Sequence, residues 1–226
     1  YSSVEKNGRY LFSAVDCTGH GVPGAFVSIV GSNSLNRCVN EFNLIRPAEI
    51  LNKLRELVIE AFEQEGSSNV KDGMDMALCC IDTDNNTLEY AGANNPLWII
   101  RDANEKKLPY KTTRFGARNW VEIKADKQPI GHHIDSRPFT NHKIELLSND
   151  RLYLFSDGYA DQFGGLDVKT RSKGGKKLKY SNFKKLMIEV QEMSMDEQLR
   201  YFDDNFEKWK GDFEQIDDVC VIGVRV

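Results

Sequence analysis

Three times in this chain an apolar, strand-like run meets an aspartate beside small or turn residues: SAVDCTGHG around Asp16, YLFSDGYAD around Asp157, and QIDDVCVIG around Asp217 and Asp218. A carboxylate at the end of a buried strand is costly unless its charge is compensated. Three such strand ends can converge on one edge of a sheet sandwich. Carboxylates gathered there repel one another, so the cluster calls for a cation. The donors are oxygens, with no cysteine or histidine placed as a clear partner, which suits hard Mg2+ or Mn2+ and suits zinc poorly. Two such ions sharing a bridging water would lower its pKa, aim it in line with a phosphorus and neutralise phosphoryl charge. Each signal alone has a plainer reading. Asp157-Gly158 is an ordinary turn, Asp217-Asp218 a helix-to-strand connection, and GHGVPG a weak phosphate cradle at a helix N-terminus, without the Walker lysine or the dinucleotide glycine spacing. The force lies in all three occurring in one chain.

The elements around these motifs follow from periodicity. Arg9 to Asp16 predicts a strand ended by a glycine-rich turn. Val22 to Phe42 predicts a helix with Pro23 near its start, where proline is tolerated. Pro47 to Gln64 predicts a second helix, with Ile50, Leu51, Leu54, Leu57, Val58, Ala61 and Phe62 on one face. Three short strands should span Met74 to Asp82, Thr87 to Ala93 and Leu97 to Arg101, the first two joined by the turn residues Asp84-Asn85-Asn86. Ala103 to Arg118 is polar, a hairpin or loop excursion. Strands are expected near Trp120 to Lys124, Lys143 to Leu147 and Arg151 to Ser156. Helices should cover Asn182 to Glu192 and Met195 to Lys208, and VCVIGVRV at Val219 to Val226 closes the chain as a strand. Strands and helices come in blocks rather than in strict alternation, which favours antiparallel sheet flanked by helices, an α+β fold, with the final strand returning to the core.

Bulk properties narrow the function. The 226 residues carry a net charge of −4, which gives no general attraction to nucleic acid or anionic lipid. No apolar run approaches the ~20 residues of a membrane span. The cysteines number five, without a C-x-x-C pair and mostly inside apolar runs, which points to reduced thiols in a cytoplasmic protein. The chain opens at Tyr1 with no signal-peptide pattern and enters an apolar stretch almost at once. We therefore expect residues 1–226 to be a single domain cut from a longer protein that has further sequence on its N-terminal side.

The order DCTGHGVPGA, DGMDMALCCID, YAGANNPLW, LFSDGYADQ, DDVCVIGV resembles the metal-dependent (PPM, protein phosphatase 2C-like) serine/threonine phosphatases, and within them the bacterial stage II sporulation protein E-like branch. The resemblance spans Arg9 to Val226. It implies an αββα sandwich, two stacked antiparallel sheets with helices outside each. It implies hydrolysis of phosphoserine or phosphothreonine with two divalent cations, Mn2+ or Mg2+. By motif, Asp16 should bridge both metals, the backbone carbonyl of Cys17 should complete the second site where many relatives carry glycine, and Asp157 and Asp217 should bind the first metal. Asp218, Gly158, His20, Asp72 and Asp75 then stand beside the ligands in supporting or substrate-contact roles. Relatives carry a further strand before Arg9 with an acidic residue near the metals. That strand is expected to be missing here, leaving an open edge. Ala91-Gly92-Ala93-Asn94 has no carboxylate, which argues against a third metal site.

Other residues read more plainly. His132-His133 should lie in a loop and His142 on an exposed polar strand. The basic run Lys169, Arg171, Lys173, Lys176, Lys177 and Lys179 is a solvated loop or a flap that attracts a phosphorylated partner. The resemblance implies an output domain of bacterial signal transduction, governed by N-terminal regulatory modules and acting on a phosphorylated protein such as an anti-sigma-factor antagonist. The alternatives are a non-catalytic partner-binding module on the same fold and another metal-dependent phosphoesterase.

Overall fold

Alternation of apolar side chains builds two antiparallel sheets in the computed structural model, which describes residues 1–19, 21–64, 73–165 and 175–226. The first sheet holds β1 (Ser2–Lys6), β2 (Arg9–Cys17), β3 (Gly73–Asp82), β4 (Thr87–Ala93) and β9 (His142–Glu145) in that spatial order, with β8 (Ile130–Gly131) pairing the start of β3. The second holds β13 (Val221–Arg225), β10 (Arg151–Phe155), β5 (Leu97–Asp102), β7 (Arg118–Ile123) and β6 (Lys111–Phe115). Phe12 and Ala14, Ala77 and Cys79, and Leu88 and Tyr90 turn one face of the first sheet onto Leu97, Ile99, Val121, Leu152 and Leu154 of the second. The opposite face of the first sheet, through Leu11, Met76, Leu78 and Cys80, receives α1 (Gly21–Asn40) and α2 (Pro47–Gln64). The outer face of the second, through Trp98, Trp120, Tyr153 and Phe155, receives α4 (Tyr180–Glu189) and α5 (Met195–Lys210). The result is the αββα sandwich that the resemblance implies. Each fully buried leucine, isoleucine or phenylalanine in these layers contributes about 1.5–3 kcal/mol.

Local chemistry explains the boundaries. In α5, Ser194 and Glu197 form a reciprocal cap, each side chain bonded to the other's backbone N–H. Pro23 sits in the first turn of α1, where a missing N–H costs nothing. The polar stretch 103–118 resolves into β6 and the start of β7, which pair as a hairpin.

One expectation is overturned. A strand does precede Arg9: β1 pairs β2 from Ser2↔Ser13 to Lys6↔Arg9. Asn7 and Gly8 take φ values of 54° and 71°, the left-handed pair of a two-residue hairpin turn. β1 was hard to see because it is short and has one apolar residue, Val4, packed on the helix-side core. Lys6 Nζ ties it to the Val39 carbonyl and to Asn43 Oδ1 at the end of α1. Its pairing stops at Ser13, three residues short of Asp16, and Ser2 at its start lines a cavity together with Cys17 and Asp218.

Candidate metal centre

Three aspartates predicted from the strand ends meet. Asp16 is the penultimate residue of β2 and shares the inter-sheet side with Phe12 and Ala14. Asp157 follows β10 and starts the short helix α3 (Gly158–Asp161), and Asp217 lies in the connection into β13. One carboxylate oxygen from each lies within 4.8 Å of the other two. The first sheet thus supplies one carboxylate and the second sheet two, at the mouth between the layers.

Hydrogen bonds to the backbone hold this geometry. Ser156 Oγ donates to the Asp218 carbonyl at 2.8 Å and accepts from Cys220 N at 2.9 Å, while Ser156 N donates to the Cys220 carbonyl at 3.0 Å. Ser156 therefore fastens the Asp217 connection to the strand that carries Asp157. Gly158 is required at this crossing, because a Cβ there would run into the Asp218 carbonyl. Asp218 N donates to Asp217 Oδ1 at 2.8 Å and orients that carboxylate. Beyond α3, the fully buried Gln162 sends Nε2 to the carbonyls of Phe163 and Glu214, both at 2.9 Å, and its own carbonyl accepts from Trp209 Nε1 at 2.9 Å. The last turn of α5 thereby sets the spacing between the Asp157 and Asp217 segments. Ser156 and Gln162 carry no signal in the sequence, since the partners that tie them to the Asp217 side, Asp218, Cys220, Glu214 and Trp209, are 47 or more residues away.

The electrostatics suit a cation. Burial, then the charges of Asp157 and Asp217, push the Asp16 carboxyl up to about 7. Burial, with Asp217 adding to it, also raises Asp157. Asp157 makes no side-chain capping bond to α3, and its Oδ1 is buried without a hydrogen-bond partner. An unpartnered buried carboxylate oxygen facing two further carboxylates fits a hard divalent cation and fits little else. A cleft of about 430 Å³, lined by Cys17, Gly24, Ala25, Ser28, Ile216 and Asp218 among others, opens beside Asp217.

The remaining predicted residues fall around this cluster or outside it. Asp75 pairs directly with Asp16 across β2 and β3, and Asn94, at φ 58°, donates Nδ2 to Asp75 Oδ1 at 2.7 Å. Burial raises Asp75 while the Asn94 bond opposes the rise. The turn that lacks a carboxylate thus contributes an amide that restrains a neighbouring one. Cys17 is half-buried and its thiol is pushed up by burial. All five cysteines are free thiols. His20 and Asp72 lie outside the described residues, as do Lys169, Arg171 and Lys173. Lys176 and Lys177 form β12 (Lys176–Lys177), which pairs β11 (Phe163–Gly164), and Lys177 Nζ lies 2.7 Å from Asp161 Oδ2. His132 follows β8 in a loop. His142 is not exposed as expected: it stacks on Tyr90 at 5.7 Å, and burial lowers its pKa. Tyr180, missed from sequence, packs near Phe155 and Trp98, and its phenol is raised by burial and then by Asp157.

Known proteins agree with this picture of the fold. The model of the Stage II sporulation protein E (SpoIIE) family matches residues 6–226. No curated protein matches the chain. Among solved structures, the SiaA-PP2C domain of Pseudomonas aeruginosa superposes with a TM-score of 0.79 at 23% identity, over 100% of this chain and 79% of that one. The PP2C phosphatase domain with a regulatory fragment of SpoIIE from Bacillus subtilis gives 0.66 at 14%, over 100% and 57%. The RsbU and RsbW domains of a Mycobacterium tuberculosis protein give 0.65 at 15%, over 99% and 53%. With the family model matched from Lys6 to the last residue, this chain belongs to the SpoIIE family.

Proposed function

We propose that this chain is a metal-dependent protein serine/threonine phosphatase domain, and the observation that carries the reading is the convergence of Asp16, Asp157 and Asp217 within 4.8 Å. Asp16, the Cys17 carbonyl, Asp157 and Asp217 would hold the two cations, with Asp16 serving both sites, the Cys17 carbonyl the second and Asp157 and Asp217 the first. Two Mn2+ or Mg2+ ions, when bound, would supply a bridging water of lowered pKa and neutralise charge on the phosphoryl oxygens. Asp75, the cross-strand neighbour of Asp16 and restrained by Asn94, is assigned a supporting role beside the ligands. Asp218 lines the cleft and steadies Asp217 through its backbone N–H. Gly158 keeps the Asp157 and Asp218 segments in contact.

The cleft beside Asp217 suits a phosphorylated side chain delivered by a protein substrate. The family and the neighbouring structures support an output domain within a longer signalling protein. Its substrate would be a cytoplasmic phosphoprotein such as an anti-sigma-factor antagonist, with regulatory modules on the N-terminal side. No helix among the described residues is long and apolar enough to cross a membrane.

The deciding experiment is hydrolysis of a phosphoserine peptide against a Mn2+ and Mg2+ titration, for the native chain, Asp16→Ala and Asp157→Asn. Phosphate release should require the metal and fall in both variants by at least the ~100-fold that loss of an outer partner of a metal ligand can cost. Release that survives thorough chelation would refute the assignment. Peptide binding without turnover would favour a binding module.

A further inference from the structure

Two buried arginines at the end of β10 remote from the carboxylates are treated unequally. Arg101 is 2% exposed and its guanidinium is fully engaged. Nε and Nη2 reach Asp150 at 2.9 and 2.6 Å, Nη1 donates to the Lys106 carbonyl at 3.0 Å, and Nη2 also donates to the Glu145 carbonyl at 2.7 Å. Arg151 is 3% exposed, yet its Nε and Nη1 are buried with no hydrogen-bond partner. Arg118 Nε is in the same state.

These donors share a face. Leu152 and Leu154 point between the sheets while Tyr153 and Phe155 lie under the outer helices, so Arg151 stands on the helix side. Arg225 is its direct cross-strand partner on β13. On the other side, Arg151 pairs Ile100, which pairs Trp120, and Arg118 is two residues before Trp120 on the same face. Arg118 and Arg225 are more exposed than Arg151, so the three form a buried floor with a rim. The counter-charges in contact are few. Glu192 lies 2.9 Å from Arg118 Nη2 with its side chain 85% exposed, and Asp102 lies 3.8 Å from Arg118 Nη1. Arg225 Nη2 donates to the neutral Asn149 Oδ1 at 2.6 Å. Burial, then Arg118, depresses the Arg151 pKa, with Arg225 adding to the effect and Tyr153 and Glu192 opposing it.

A buried guanidinium with two unbonded donors and only an exposed carboxylate at its edge is costly. Water could accept from the free N–H groups but would leave the charge uncompensated. An oxyanion does both, and the planar guanidinium fork matches phosphate geometry. We propose that Arg151, with Arg118 and Arg225 at its rim, forms a second anion site that takes a phosphate group, six residues and ~20 Å of strand from Asp157. Glu192 is the resident competitor at its edge. The site does not depend on the phosphatase reading, because it lies at the opposite end of β10 and shares no residue with the carboxylate cluster.

Thermal unfolding in EDTA tests it, with inorganic phosphate compared against chloride at matched ionic strength. At about tenfold excess over the dissociation constant, phosphate should raise the midpoint by roughly 3 °C. The rise should shrink in Arg225→Ala and Arg118→Gln, grow in Glu192→Gln and persist in Asp157→Asn. Arg151→Lys, which keeps the charge and loses the fork, should abolish it. If that variant does not fold, the three rim variants decide. No phosphate-specific rise, or a rise that survives both rim arginine changes, overturns the proposal. So does a rise that disappears in Asp157→Asn, which would place the anion at the carboxylate end.

Discussion

Asp16 keeps its proton to about pH 7 because burial, and then the charges of Asp157 and Asp217 facing it, disfavour its ionised form. In the unfolded chain the same carboxyl titrates near its ordinary 3.8. The folded pKa is the higher one, so this group favours folding fully below about 3.8 and progressively less as pH rises to about 7. Metal-free protein should therefore lose stability between pH 4 and 7. Asp16→Asn should flatten that slope and be the more stable protein at pH 8 in EDTA. Urea unfolding at pH 5 and 8 reads both, and a native slope unchanged in the variant would show that Asp16 is not the strained group. The aspartates were legible because an apolar run ending in a carboxylate is a conflict visible in one dimension. Asn94, Ser156 and Gln162 were not, since an uncharged polar residue near a turn conflicts with nothing until its distant partner is known.

At the scale of elements, α2 was read with its observed ends because a clean apolar stripe and an initial proline mark it. The hairpin β1–β2 was missed because Asn7-Gly8 joins a strand too polar for an alternation argument. α3 carries no periodic signal, since its four residues are fewer than a helical pattern needs. The junction of β10 with the connection into β13 is where an element can be tested. Ser156→Ala removes one donor and one acceptor at a residue 1% exposed. It should cost about 1–3 kcal/mol. It should also weaken Mn2+ binding by about 10–100-fold, as loss of an outer partner does. Calorimetric titration with Mn2+ beside urea unfolding separates the effects. A loss of stability with unchanged Mn2+ affinity would reduce Ser156 to a packing role.

The whole molecule rests on charge as well as on its three apolar layers. Arg101 and Asp150, 2% and 1% exposed, link β5 to the turn before β10. Asp150→Ala would strand a buried guanidinium at a cost of about 3–5 kcal/mol and lower the melting temperature by roughly 10 °C. Replacing both partners with leucine removes the stranded charge and should recover part of that loss, less the unpaired Lys106 and Glu145 carbonyls and Leu147 N–H, and a double variant as unstable as the single one would contradict it. The sandwich itself was legible mainly through the family resemblance. Periodicity distinguishes helix from strand but does not say which strands share a sheet. That partition matters because Asp16 belongs to one layer and Asp157 and Asp217 to the other. On the proposed reading, cations held by all three would rivet the layers together at their open end. A partner that slides one layer against the other, without touching any ligand, would then loosen the rivet, and the protein would sense mechanical shear as a change in its hold on metal.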